Sequence, residues 1–378
     1  MEELFRRLLS DNERDNAKRE LEKLIQDGEI TREYSHLFLK ILESQDEDLR
    51  LWAWENVTGL MDKGVLTLED VKKRNRYFLD LLKSESDYVM LQAWDKVTDL
   101  VDRGVIDKDG IKQNNQFLLK LLESLDEDWT INWSWKIIMT MIDKGVITRD
   151  DSQFFLKLLE SHDSGTRRWG WLSIAPLIDN GVLTLEEVKQ RKQHLLKLLE
   201  SQDEIIRCLT WLSIRELLDR EIITVEEVKQ RIRFFRELLD SSLYAWEMVD
   251  FLINKGVLTV EKAKERKRFF LELLESIEEE RYQAWSSVVP LINSGVLTLE
   301  EVKQRKQYFL GLLASELKGI RLYAWSNVVP LIDKGVINVD DVRQRKQYFL
   351  ELLESNDEDI RLRAHHILEE LIREGIIT

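Results

Sequence analysis

Along Ile320-Arg-Leu-Tyr-Ala-Trp-Ser-Asn-Val-Val-Pro-Leu-Ile332 the apolar residues at 320, 324, 328 and 331 share one helical face, and those at 325, 329 and 332 share another about 100° away. Two buried faces predict a helix, helix A, with neighbours on two sides. Gly335 followed by Val336 reads as a left-handed C-terminal cap with the apolar residue folding back on the last turn. The segments Thr298-Leu-Glu-Glu301 and Thr184-Leu-Glu-Glu187 read as capping boxes that open a second helix, B. Helix B carries Val302, Phe309, Leu310 and Leu313 on one side and charges on the other. It ends near a Leu-Glu-Ser triplet before an acidic turn such as Asn356-Asp-Glu-Asp359.

This pair recurs. Phrases related to Asp-Lys-Gly-Val-Leu-Thr at 62–67 place glycines at 28, 64, 104, 145, 181, 256, 295, 335 and 375, with Glu221 standing in once, a period near forty residues. Ten residues before each internal glycine, or before Glu221, stands a tryptophan: Trp54, Trp94, Trp135, Trp171, Trp211, Trp246, Trp285 and Trp325. That interval never varies, so the segment from Trp to Gly is one rigid element. The repeats after Gly28 and Gly145 lack about four residues of helix B, close to one turn of 3.6, and the repeat after Glu221 loses residues in the turn Leu239-Asp-Ser-Ser-Leu243.

Composition agrees with an all-helical chain. Three prolines and 15 glycines in 378 residues are too few turn residues for a sandwich, barrel or doubly wound sheet, and 43% hydrophobic residues exclude disorder. The formal charge of −15 weighs against a general nucleic-acid binder. Met1 to Asp15 contain no apolar stretch of signal-peptide length, and no stretch approaches 18 apolar residues. A soluble, intracellular, cytoplasmic protein without membrane contact is expected. The single cysteine, Cys208, suits a reducing compartment.

Paired helices of about forty residues, an acidic turn running into Arg and Ala as in Asp357-Glu-Asp-Ile-Arg361-Leu-Arg-Ala364, and Pro176, Pro290 and Pro330 within helix A resemble HEAT repeats over nearly the whole chain. The arginine recurs four residues before the tryptophan at Arg50, Arg167, Arg207, Arg281 and Arg321, while Met90, Ile131 and Ser242 depart from it. The resemblance implies a right-handed α-solenoid of about ten two-helix repeats, a scaffold for proteins and sometimes for nucleic acids, with B helices lining the concave face. One solenoid over 1–378 is expected, with a capping unit at 1–28, internal repeats at 29–335 and a C-terminal repeat and cap at 336–378. Lys18 and His365 occupy the tryptophan position at the two ends, where polar residues disfavour an endless filament.

Two columns are candidates for function. The position two before each tryptophan reads Trp52, Gln92, Trp133, Trp169, Leu209, Tyr244, Gln283, Tyr323 and Arg363. A column that admits Gln and Arg is expected to be at least half exposed, making Trp52, Trp133 and Trp169, with Trp129 nearby, aromatic anchors for a protein partner. The bland alternative is packing against the neighbouring repeat. Helix B supplies a basic stripe that includes Lys189, Arg191, Lys229, Arg231, Arg266, Lys303, Arg305, Arg343 and Arg345, suited to phosphates or an acidic protein. Glu187 with Arg191, Glu227 with Arg231, Glu301 with Arg305 and Asp341 with Arg345 are i,i+4 pairs in the favoured order, so local pairing is expected to absorb much of the stripe.

Catalysis has little to stand on. His36, His162, His194, His365 and His366 show no metal-ligand spacing with one another or with Cys208, and no Gly-rich phosphate loop or nucleophile elbow occurs. Neither metal nor cofactor is expected. The sequence therefore points to a non-catalytic protein-binding scaffold. A nucleic-acid or ribonucleoprotein-associated solenoid is the alternative, and a DNA glycosylase, which some HEAT-like proteins are, is the remote one.

Overall fold

The computed structural model describes residues 1–10, 12–124 and 128–377, with side chains except at 120, 121, 123, 124 and 128–132. Each recurring phrase closes its helix with a left-handed residue. The nine glycines of the period have φ of 65–78°, and Glu221 adopts φ 55° in the same place. After Gly335 the chain folds back, with the Val336 N–H donating to the Leu331 carbonyl at 2.9 Å and the Gly335 N–H to that of Ile332 at 2.7 Å. These bonds satisfy carbonyls that the helix end would otherwise leave open.

Among the described residues the chain is all helical, without a strand. Its contacts form two compact bodies, Met1–Val188 and Lys189–Thr378. In the first, helix A runs unbroken at Glu47–Asp62, Asp87–Asp102 and Asp128–Asp143, then appears as Ser164–Leu172 followed by Ile174–Asp179. In the second it is divided in four repeats, for example Lys318–Ser326 and Val328–Asp333, and whole again at Glu358–Arg373. Pro176, Pro290 and Pro330 lie just after such divisions and have no N–H for the carbonyl four residues back. Glu216 and Phe251 hold that position in the other two divided helices, so proline is not what the division requires.

Helix B is the single helix expected at Leu185–Leu198, but in six other repeats it departs from that. There it is a five-residue turn followed by a longer helix, as in Leu299–Lys303 and Lys306–Leu312. The arginine between the pieces explains how the break is tolerated. Arg305 Nη1 donates to the Glu301 carbonyl at 2.9 Å, and Arg74, Arg231 and Arg345 do the same to the carbonyls of Asp70, Glu227 and Asp341 at 2.9–3.0 Å. A side chain thus supplies the hydrogen bond that the backbone gives up. The two repeats short of four residues lack the five-residue turn and begin instead with the 3-10 turns Arg32–Tyr34 and Arg149–Asp151. The capping boxes form as expected at Thr184–Glu187 and Thr298–Glu301, and Thr224–Glu227 and Asn338–Asp341 form two more.

The tryptophan column is the core. Trp54, Trp94, Trp171, Trp211, Trp246, Trp285 and Trp325 are almost completely buried. Each donates its indole N–H to a leucine carbonyl at the end of the preceding B helix, from Trp54 to Leu42 through Trp325 to Leu313, at 3.0–3.3 Å. Five of them also pack on the phenylalanine of the following B helix, as Trp325 does on Phe349, with centroids 4.8–5.2 Å apart. One side chain thereby joins helix A to the B helices on both sides, which is why its position never drifts. Arg50, Arg207 and Arg361, four residues ahead of this position, donate to the carbonyls of Ser44, Ser201 and Ser355 at 2.6–2.8 Å and hold the acidic turn.

Candidate functional site

The column two before the tryptophans divides. Trp52 is buried, at 3% exposure, and its indole donates to Glu22 Oε1 at 2.6 Å. It is therefore not the surface anchor expected, because a carboxylate on the neighbouring helix holds it inside. Trp133 is half-buried and donates to Asp95 Oδ1 at 3.3 Å. Trp169 is half-buried under the Arg168 guanidinium, 4.8 Å from its ring, and its buried indole N–H has no acceptor. The Trp129 side chain lies outside the described residues. The open members are Tyr244, Tyr323 and Arg363 instead.

The column does line clefts between successive A helices. In the first body a cleft of about 510 Å³ is walled by Arg14, Lys18, Asp48, Trp52, Glu55 and Tyr88. Burial pushes the Glu55 carboxyl up, with Lys96 and Lys18 opposing it. In the second body a cleft of about 360 Å³ is lined by Gly319, Tyr323, Asp359, Arg363 and His366, among others.

The basic stripe is paired, but not along one helix. Arg231 reaches Glu200 at 2.8 Å and Arg305 reaches Glu275 at 2.7 Å, while Arg266 pairs with Asp240. Each of these acids belongs to the repeat before. The carboxylates expected to pair at i,i+4 look to the same neighbour: Glu227 to Lys192 at 2.7 Å, Glu301 to Lys267 at 2.5 Å and Asp341 to Lys306 at 3.0 Å. Burial works against the ionised form of Glu227, and the bonds from Lys192 and Thr224 outweigh it and hold the carboxyl below its ordinary range. Arg345 donates to the Leu310 and Asp341 carbonyls at 2.9 Å, and Arg343 to those of Ile376 and Gly375 at 3.1 and 2.8 Å. Arg191 is engaged as well. Of the stripe, Lys189, Lys229 and Lys303 keep no ion pair among the described residues. In the first body, Arg149 grips Glu187 through two bonds of 2.6 Å, which with the Thr184 cap draws that carboxyl down to about 2.

A further column escapes sequence reasoning. The residue before the buried phenylalanine of helix B is aromatic at Tyr77, Phe154, Phe234, Phe269, Tyr308 and Tyr348, half-buried or exposed in every case. Arg76 lies over Tyr77 at 4.5 Å and Arg233 over Phe234 at 4.4 Å. The doublet of aromatics was the available signal, but it reads equally well as core.

Among the described residues no group of three His, Cys, Asp or Glu side chains is placed to hold a metal, and no helix is long and apolar enough to cross a membrane. No protein-family model matches the chain, and neither does any curated protein. Among solved structures, a chain of a Kap95:Nup1 complex aligns at TM-score 0.51 and 16% identity over 95% of this chain and 50% of that one. The fold is a HEAT-like α-solenoid. Kap95p from a structure describing its binding to RanGDP aligns at TM-score 0.49 and 15% identity, over 98% of this chain and 54% of its own. Importin beta crystallised with ammonium sulfate aligns at 0.49 and 14%, over 88% and 47%. The solenoid spans about half the length of the chains it matches.

Proposed function

We propose that this solenoid is a non-catalytic scaffold that binds one or more proteins. The observation that carries the proposal is the fate of its side chains. Most of the basic stripe is spent on joining repeats, whereas apolar groups on the A helices, including Ile205, Tyr244 and Leu362, stand 48–68% exposed. Exposed apolar groups of this kind mark protein contacts more often than nucleic-acid ones. Affinity purification from the source cells, with and without nuclease, tests it. Scaffold function predicts specific proteins retained after nuclease and moderate salt, and their loss with the nucleic acid would overturn it.

Nucleic-acid association keeps one supporting observation. Lys229 and Lys303 keep no ion pair among the described residues and stand five residues before Phe234 and Tyr308 of the aromatic column, and cations alternating with stacking rings suit single strands. That reading requires affinity falling steeply with salt and weakened by Lys229→Glu and Lys303→Glu together.

A further inference from the structure

On the A helices of the second body, one surface is built unlike the rest. In helix Glu204–Leu212 the residues Ile205, Leu209 and Leu212 recur at i, i+4 and i+7, a row along one face, and Ile205 is 68% exposed. Its position, six before the tryptophan, is polar or small in the rest of the second body, at Asp240, Glu279, Gly319 and Asp359, and aromatic at Tyr88 and Trp129 in the first, so packing of the repeat does not call for isoleucine. The next A helix, Leu243–Glu247, has five residues where Glu278–Ser286 and Lys318–Ser326 have nine. The shortened segment at 239–243 removes about one helical turn from the start of that helix, and the turn residues Ser241 and Ser242 lie against Glu204 and Cys208 in its place. Tyr244, 48% exposed, extends the apolar row from the adjacent helix.

At the Ile205 and Tyr244 end of the row the charges are carboxylates, while at Leu212 the adjoining cleft carries Arg215, Glu216, Asp219 and Arg220. Glu204 opens its helix next to Ile205, and Glu247 follows Tyr244 by three residues on the adjacent helix. Glu204 accepts from the neutral Ser241 hydroxyl at 2.7 Å, and Glu247 is exposed, with no bond or ion pair among the described residues. The nearby cations are taken. Arg207 is buried on the Ser201 carbonyl at 2.6 Å, and Arg215 lies over Phe251 at 4.7 Å.

We infer that Ile205, Leu209, Leu212 and Tyr244 form a docking surface for a basic amphipathic helix, with Glu204 and Glu247 receiving its Lys or Arg residues. A row at i, i+4 and i+7 is a ridge that a second helix packs along, and uncompensated carboxylates at its margin select a cationic partner. This inference rests on the scaffold reading and names its surface and partner class.

The probe is a fluorescent 18-residue Leu/Lys peptide with Leu at i, i+3, i+4 and i+7, titrated into the full chain at physiological salt and read by anisotropy. Two controls accompany it, a scrambled peptide of the same composition without an apolar face and a Leu/Glu peptide with the same pattern. Saturable binding by the first alone is expected. Ile205→Ser and Tyr244→Ser each weaken it by at least about fivefold, and Glu247→Gln by about threefold. Ile277→Ser, equally exposed but elsewhere, leaves it unchanged. Exposed substitutions of this kind leave the fold standing, which helicity and melting verify. Undiminished binding by the Ile205 and Tyr244 variants, or equal binding of either control, overturns the inference. If proteins from the source cells still bind the double variant, scaffold function survives while this surface does not.

Discussion

Glu221 is the one non-glycine among the described residues with positive φ, at 55°, where nine other repeats use glycine. A left-handed conformation costs a residue with a Cβ about 1–2 kcal/mol. Glycine, being freer in the unfolded chain, gives back about 0.5–1 kcal/mol of that advantage. The Glu221 side chain is exposed and holds no bond or ion pair among the described residues, so removing it forfeits no contact. Glu221→Gly is therefore expected to stabilise its repeat by about 0.8 kcal/mol, the middle of the first range less the middle of the second. A solenoid need not unfold in one step, so the proper assay is local. The Ile222 N–H donates to the Leu217 carbonyl at 2.9 Å across the cap, and native-state hydrogen exchange at this amide should slow by about fourfold. Glu221→Gln, which keeps the backbone strain and removes the charge, should leave the rate unchanged. Exchange that is unaltered or faster in the glycine variant, or a glutamine variant that matches it, would refute the strain argument. Gly335→Glu should show the opposite change at Val336, whose N–H bonds Leu331.

Trp325→Ala removes a buried ring and its bond to Leu313, and should cost about 3–5 kcal/mol in urea unfolding or melt the neighbouring repeats outright. Trp52→Phe breaks the bond to Glu22 and should cost about 1.5–3 kcal/mol, whereas Trp169→Phe removes a buried N–H that has no acceptor and should be neutral or slightly stabilising; a larger loss at 169 would show a partner there. Glu187 has its carboxyl lowered from 4.5 to about 2, so the stability it contributes is present above pH 4.5 and is lost as the pH falls from there towards 2. Arg149→Met should flatten that part of an acid titration of stability, by well under 1 kcal/mol because the pair is partly exposed and screened.

The glycine and tryptophan columns were legible in the sequence because each answers a requirement with one solution: a left-handed cap, and a ring that fits between two B helices. The division of helix B was not. Leu-Glu-Glu-Val-Lys-Gln-Arg-Lys is unbroken helix at 185–192 and divided at 299–306, where Arg305 takes over the carbonyl of Glu301, so these eight residues do not decide it by themselves. The pairing of the basic stripe was half legible, since a neutralised stripe was expected and found. Its partners were misplaced because Glu301 meets Lys267, 34 residues away, as readily as it could have met Arg305. For the column holding Trp52 and Tyr244, exposure depends on the depth of the cleft each residue faces. Neighbouring helices set that depth, and residue type does not reveal it.

Because the bonds of this ladder join neighbouring repeats, the chain can be shortened by one period with its main rungs remade, Ser315 losing Glu278 and Tyr323 losing Tyr282 at the seam. Excising residues 268–306 removes Glu275 together with Arg305, and Trp285 together with its Leu274 acceptor. It brings Asp341 to Lys267 in place of Glu301, and Phe309 to Trp246 in place of Phe270. The same arithmetic applies to adding a period. Length in this protein is thus a property that tandem duplication or loss can change in single steps, with the tryptophan and ion-pair rungs carried across the seam.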